Sequence, residues 1–268
     1  MVELFDMDKR EQNRQSSKGN QLKFYRDGWW YKVDYMGYEG LAEYVVSKLL
    51  GFSNLTADEY VDYELEQISY NGNTYNGCKS KDFSDGWNLI TVERLFMQSY
   101  GRSLYKSMYE MKDEKERLKM MVSNIERITG ISDFGGYMSK MLAADALFIN
   151  EDRHTHNIAV MTNDKKEYKT APIFDNGAGL LSDTTMEYSL EQDHLLMLDN
   201  VRAKTFCDDF VKQLDSAEQL YGKKIVFNYG FNEVKNIVDK YDIYNEQIKK
   251  RVVDVVMQLR HKYEYMFE

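Results

Sequence analysis

One proline stands in the 268 residues, where average usage of ~5% would give about a dozen. That scarcity excludes proline-rich linkers, mucin-like stalks, collagen-like repeats and polyproline ligand tails. Cysteine is also scarce: Cys78 and Cys207 are the two. They fit no metal-ligand spacing, and a single pair makes a poor disulfide framework, so reduced thiols in a cytoplasmic protein are expected. Basic residues fall short of acidic ones, 35 against 44, for a net charge of −9 and a pI near 5.1. A broad nucleic-acid or anionic-membrane surface demands a basic face, so both are disfavoured, although a local basic cleft is compatible with the total. No apolar run approaches the ~20 residues of a membrane span. Residues 1–6 lack the basic-then-apolar layout of a signal peptide. Against these shortages, hydrophobic residues make up 43% and aromatic residues 14%, with 21 tyrosines. Such a chain can bury a core, which excludes wholesale disorder. Its length suits one large domain or two lobes of ~100–170 residues.

No internal repeat or low-complexity tract is found. Residues 6–21 are polar and without periodicity, a lead-in or loop. Two aromatic runs, 22–25 and 29–33, flank Arg26-Asp27-Gly28 and predict a β-hairpin. Residues 38–50 carry Leu41, Val45, Val46 and Leu49 at helical spacing, with Gly51 as a stop signal. A second hairpin is expected from 60–70 and 74–79 about Asn71-Gly72-Asn73, then a strand over 88–93. Helices are expected over 114–129, 136–149, 208–221, 230–240 and 243–266, interrupted by short strands at 158–161 and 168–174. The plan is an α+β chain in two lobes, a small β-rich N-lobe (1–93) and a larger helical C-lobe (94–268).

The chemistry-bearing stretch runs Asn150-Glu151-Asp152-Arg153-His154-Thr155-His156-Asn157, followed by Ile173-Phe174-Asp175-Asn176-Gly177. An apolar helix carrying Met138, Met141, Leu142 and Ala146 leads into eight polar residues. A short hairpin then ends at Asp175. Asp-rich loops after helices are usually caps and turns. Here Asp152, Asn157 and Asp175 all lie at ends of elements flanking one hairpin, and they offer oxygen donors only. That set suits Mg²⁺, a hard cation that takes one or two carboxylates plus substrate phosphates. Zinc would require committed His or Cys ligands. In protein kinases the catalytic loop supplies an Asp and, five residues on, an Asn, and an Asp before a Gly follows the next hairpin.

Asp152-Arg153-His154-x-x-Asn157 with Pro172-Ile173-Phe174-Asp175-x-Gly177 resembles the HipA family of bacterial serine/threonine kinases, in its short, single-chain, CtkA-like branch. The family form is Asn-x-Asp-x-His-x-x-Asn, and Asn150 and His154 fill the corresponding slots. The resemblance runs from about 16 to 180 and is most specific over 145–177. It implies a two-lobed protein-kinase-like fold that binds ATP and Mg²⁺ between the lobes and transfers the γ-phosphoryl group to a protein Ser or Thr hydroxyl, with autophosphorylation open to it. Asp152 would orient the acceptor hydroxyl and receive its proton. Asn157 and Asp175 would hold Mg²⁺ against the phosphates, and His154 would fix the loop. Arg153 suits a phosphate or carboxylate contact, or equally a surface ion pair. His156 lies off the motif and is expected in solvent. Asp145 reads either as an acceptor bracing the catalytic turn, or as an N-lobe contact or partly exposed helix residue.

Ser16-Ser17-Lys18-Gly19-Asn20-Gln21-Leu22-Lys23 resembles the family's phosphate loop, Ser-x-x-Gly-x-Gln-x-Lys. Gly19 would let backbone N–H groups cradle phosphates. Ser16 matches a serine that some members autophosphorylate, and a phosphate there would add about −1.5 to −2 charge against ATP. Lys32 is the implied ATP lysine. Its partner is Glu39, with Glu43, on the same helix face, in reserve. Thr91-Val92-Glu93-Arg94-Leu95 resembles the lobe-connecting Val-Glu-Arg-Phe, so backbone groups of Glu93 and Leu95 would bond the adenine edge. A literal Asp133-Phe134-Gly135 lies upstream of the loop, just before a helix, and reads as an N-cap. The rival functions are a small-molecule or lipid kinase of the same fold, and a degenerate nucleotide-binding module. A DNA-binding role is disfavoured by charge. The protein substrate and an antitoxin-like partner are left open. Pro172, lacking an N–H, would mark the edge of the strand that delivers Asp175.

Overall fold

A computed structural model describes residues 1–10 and 21–268. Ser16 and Gly19 lie outside the described residues. The described residues divide into two compact units: 1–83 with 176–200 and 227–268, and 84–175 with 201–226.

The first unit is built on a five-stranded sheet. Its strands are β1 (Val2–Glu3), β2 (Lys23–Arg26), β3 (Trp29–Val33), β4 (Tyr63–Tyr70) and β5 (Asn73–Lys81), in the order β1-β4-β5-β3-β2. Both expected hairpins form, with left-handed residues where two-residue turns require them: Asp27 and Gly28 (φ 51° and 80°), Asn71 and Gly72 (φ 50° and 77°). Alternation along the strands turns Phe24, Tyr31, Val33, Ile68 and Tyr70 into one cluster with Leu4. Helix α1 (Glu39–Leu50) crosses this sheet. It sits close because two glycines face each other: a Cβ on Gly40 would lie 2.7 Å from the Cα of Gly77.

The second unit begins with β6 (Asn88–Thr91) and α2 (Val92–Tyr100). Helices α3 (Leu104–Met108), α4 (Glu114–Thr129) and α5 (Phe134–Phe148) follow. Then β7 (Ala159–Thr162) and β8 (Tyr168–Thr170) complete a three-stranded sheet ordered β6-β7-β8. Helix α4 is framed by an Asp113 N-cap accepting from the Glu116 N–H and by left-handed Gly130. Helix α5 is apolar around most of its surface and is buried against α4 and α7 (Phe210–Tyr221). In the first unit, α6 (His194–Met197), α8 (Phe231–Asp239) and α9 (Glu246–Lys262) complete the order.

Hydrogen bonding accounts for which segments belong to each unit. Strand β6 pairs with β7, placing 88–91 in the second unit. The last helices are tied to the first unit. The Tyr244 hydroxyl donates to Asp34 at 2.8 Å, the Tyr241 hydroxyl to Glu64 at 2.7 Å, and Arg251 donates to the carbonyls of Tyr188 and Ser189 at 2.6 Å each. The chain departs from expectation at 92–93, which are helical, and at 171–174, where β8 has already ended.

Candidate active site

The loop after α5 begins with a strained residue. Ile149, β-branched, adopts left-handed geometry (φ 48°), and the Asn150 N–H closes the helix on the Asp145 carbonyl at 2.9 Å. The chain leaves the helix at that point with two anchors. Asp145 is buried in the last turn of α5. It accepts from Arg153 Nε at 3.0 Å and from Asn150 Nδ2 at 3.0 Å. The Arg153 guanidinium, 2% exposed, carries the arrangement further. Its Nη1 donates to the Asn157 carbonyl at 3.1 Å and to the Phe174 carbonyl at 2.6 Å. Asn150 Nδ2 reaches the Asp175 carbonyl at 3.3 Å. One Asp–Arg–Asn cluster thus fastens the segment bearing Asp152 and Asn157 to the segment bearing Asp175. Burial pushes the Asp145 carboxyl up, and the facing guanidinium opposes it. Arg153 therefore is not the surface ion pair weighed from sequence. Planarity and five fixed donors suit it to this buried fork.

Asp152 is half-buried, with Oδ1 at 3.0 Å from Lys204 Nζ and Oδ2 at 3.8 Å from His154 Nε2. The Asn157 amide donates to the Asp152 carbonyl at 2.9 Å, which fixes the direction of Oδ1. His154 braces the turn twice: Nδ1 accepts from the His156 N–H at 3.2 Å, and its carbonyl accepts from the Asn157 N–H at 2.7 Å. His156 is exposed. Asp175 adopts φ 60°, a left-handed setting that Asp tolerates better than most residues. Pro172 is buried two residues past the end of β8. Asp133 caps α5 by accepting from the Gly136 N–H at 3.1 Å.

In the first unit, Lys32 on β3 pairs with Glu43, not with Glu39. Glu39 opens α1, and its carboxylate is occupied by the N–H groups of Tyr35, Met36 and Gly37 at 3.2, 2.6 and 3.1 Å. Glu43 lies one turn further along, buried, and faces the strand. Its second oxygen accepts the N–H of Asn176, the residue after Asp175 in the chain, at 2.8 Å. The Lys32 ammonium also lies 5.1 Å from the centre of the Tyr63 ring.

Glu93 and Leu95 lie within the first turn of α2. The Glu93 N–H donates to the Thr155 carbonyl at 3.2 Å. Its buried carboxylate accepts from the N–H groups of Leu104 and Tyr105 and, at 2.9 Å, from the Thr155 hydroxyl. Burial raises this carboxyl, but bonds from Ser103, Tyr105 and Thr155 outweigh it and leave it below its ordinary value. Glu93 is a strap between α2, α3 and the 150–157 loop. Lys204 and this strap are the site features that sequence reasoning missed. Lys204 lies 52 residues from Asp152, and no local pattern reports such a pairing.

Among the described residues, no three His, Cys, Asp or Glu side chains converge to hold a metal. Asn157 and Asp175 carry side-chain oxygens, the donor type taken by an ion that keeps water and phosphate as its remaining ligands.

The sheet with its crossing helix, followed by the helical region around a loop of this construction, is a two-lobed α+β fold of the protein-kinase type. The crystal structure of the Helicobacter pylori proinflammatory kinase CtkA is similar over 97% of this chain and 95% of that one, with a TM-score of 0.62 and 18% identity. No protein-family model and no curated protein matches the chain. Among the described residues, no helix is long and apolar enough to cross a membrane.

Proposed function

We propose that the chain is an ATP- and Mg²⁺-dependent kinase of HipA-like type that transfers the γ-phosphoryl group to a Ser or Thr hydroxyl of a protein, itself included. The observation that carries this reading is the Arg153 fork, which holds the Asn157 and Phe174 carbonyls at 3.1 and 2.6 Å beside Asp152. It supports the reading because it ties the segment bearing Asp152 and Asn157 to the one bearing Asp175, and phosphoryl transfer asks of a protein mainly positioning and electrostatics. Asp152 orients the acceptor hydroxyl and takes its proton. Asn157 and Asp175 would hold Mg²⁺, which when bound neutralises charge on the phosphates. Lys32, steadied by Glu43, supplies the phosphate-binding ammonium. Cys78 and Cys207 form no disulfide, as suits a reducing, cytoplasmic setting.

The test is incubation with Mg²⁺-ATP and mass spectrometry of the chain and of added acceptor protein. Phosphoserine or phosphothreonine in the parent, absent from Asp152→Asn, supports the reading. Calorimetric titration separates the two Asp-before-glycine sites: Asp175→Ala should lose Mg²⁺-dependent ATP binding, and Asp133→Ala should keep it. The reverse result, or phosphate delivered only to small molecules, refutes the assignment.

A further inference from the structure

We propose that Lys204 is a catalytic residue that contacts the transferring phosphoryl group while holding Asp152 in place. The inference rests on the kinase reading above. Its starting point is the 3.0 Å pair between Lys204 Nζ and Asp152 Oδ1, both within one compact unit.

An ordinary surface pair needs only a flexible lysine. This one is built differently. Over 201–205 the chain alternates buried Val201, Ala203 and Thr205 with exposed Arg202 and partly exposed Lys204. Thr205 has φ 80°, rare for a β-branched residue, and the Phe206 N–H bonds the Lys204 carbonyl at 3.1 Å. Positive φ with a bond two residues back is the strained form of the γ-turn. The neighbouring residues Ala203, Thr205 and Phe206 are tied down. The Thr205 hydroxyl donates to the Arg153 carbonyl. The Phe206 N–H also donates to Gln213 at 2.8 Å, and the Phe206 carbonyl accepts from Arg117 at 2.6 Å. The Ala203 N–H donates to the Asp208 carbonyl at 3.1 Å. Strain that surroundings maintain in this way marks functional positions. Its effect here is to aim one ammonium at the carboxylate that the kinase reading makes the base.

The loop's own full cation cannot serve there. Arg153 is 2% exposed and committed to Asp145 and two carbonyls. Lys204 is 39% exposed and carries three donors on a flexible stem, which suits phosphate oxygens. In the step itself, the bond between the γ-phosphorus and the bridging oxygen of ADP breaks, and its electron pair leaves on ADP. A bond from the acceptor oxygen to phosphorus forms, and the acceptor proton passes to Asp152. Lys204 keeps its three protons throughout and offsets charge on the phosphoryl oxygens.

The experiment compares the parent, Lys204→Ala, Lys204→Arg and Asp152→Asn. It uses thermal melting, calorimetric binding of Mg²⁺-ATP and Mg²⁺-ADP, and ADP release with autophosphorylation. Lys204→Ala should melt like the parent and turn over about 100-fold more slowly. It should bind ATP about 10-fold more weakly and ADP about as before, because a charge-assisted contact to the terminal phosphoryl is lost. Lys204→Arg should recover most of the ATP affinity. Lys204→Ala with parental ATP binding and turnover, while Asp152→Asn is inactive, overturns the proposal and leaves the kinase reading standing. Equal losses of ATP and ADP binding with a lowered melting point overturn it in favour of a structural lysine. Full turnover by Asp152→Asn, or no ATP binding by the parent, overturns the underlying reading.

Discussion

Replacing Arg153 with methionine removes the charge and the donors while keeping much of the volume. Asp145 is then left buried with Asn150 as its remaining side-chain donor among the bonds described. Breaking one side of a buried pair costs about 3–5 kcal/mol. The carbonyls of Asn157 and Phe174 lose a donor as well. Set against a typical total of ~5–15 kcal/mol, this is a large fraction. At ~2–4 °C per kcal/mol, melting should fall by roughly 6–20 °C. The pH dependence has a definite sign. Burial raises the Asp145 carboxyl, and in Arg153→Met no guanidinium opposes it. The folded variant then holds a proton that the unfolded chain releases above an ordinary value of about 4. Its stability is therefore greatest at low pH and declines as pH rises through the raised pKa. Thermal and urea unfolding at about pH 5 and pH 8 should show a deficit that is larger at the higher pH. Adding Asp145→Asn should recover part of it, since no buried charge is stranded. A single variant within about 1 kcal/mol of the parent at both pH values, or an equal deficit at both, would refute the reasoning.

Glu43→Gln should lower turnover by about 10²-fold by releasing Lys32, whereas Glu39→Gln should lower the melting temperature more than the rate, because it releases three loop N–H groups. Glu93→Gln should weaken the strap to Thr155. The Glu93 carboxyl is held low, so it contributes stability above the ordinary carboxyl range that is lost as pH falls through its folded value. Acid-side melting of the parent should show a loss that Glu93→Gln lacks. Burial raises Asp34 to about 7, so the parent should lose stability as pH climbs from about 4 through 7, and Asp34→Asn should flatten that slope in a melting profile.

Both hairpins were legible because Asp27-Gly28 and Asn71-Gly72 announce left-handed turns between alternating runs. The helix over 114–129 was legible as a helix, and the structure shows its Asp113 cap and left-handed Gly130. Glu39 and Glu43 could not be separated from sequence, since residues four apart share a face. Only the packing of Gly40 on Gly77 and the amide partners of Glu39 decide between them. The stretch 88–93 misled at its end: Thr91 and Val92 favour a strand, yet the Thr91 hydroxyl accepts from the Arg94 N–H and starts a helix. Arg153 was ambiguous because its burial depends on Asp145 and on carbonyls up to 21 residues away. The order of Asp152, Asn157 and Asp175 could be read from sequence, whereas the scaffold that supports them could not.

The interleaving of the two units along the chain bears on how the molecule is made. The second unit has its last segment once 201–226 has been synthesised, but the first still lacks 227–268. At ~5–20 residues per second, the sheet and α1 wait about 2–8 s for the C-terminal segment that supplies Tyr241, Tyr244 and Arg251. During that interval the nascent sheet lacks these partners. Because each unit is assembled from segments distant in the chain, no single cut separates the two, and a split-protein design has to carry both 176–200 and 227–268 with the first unit.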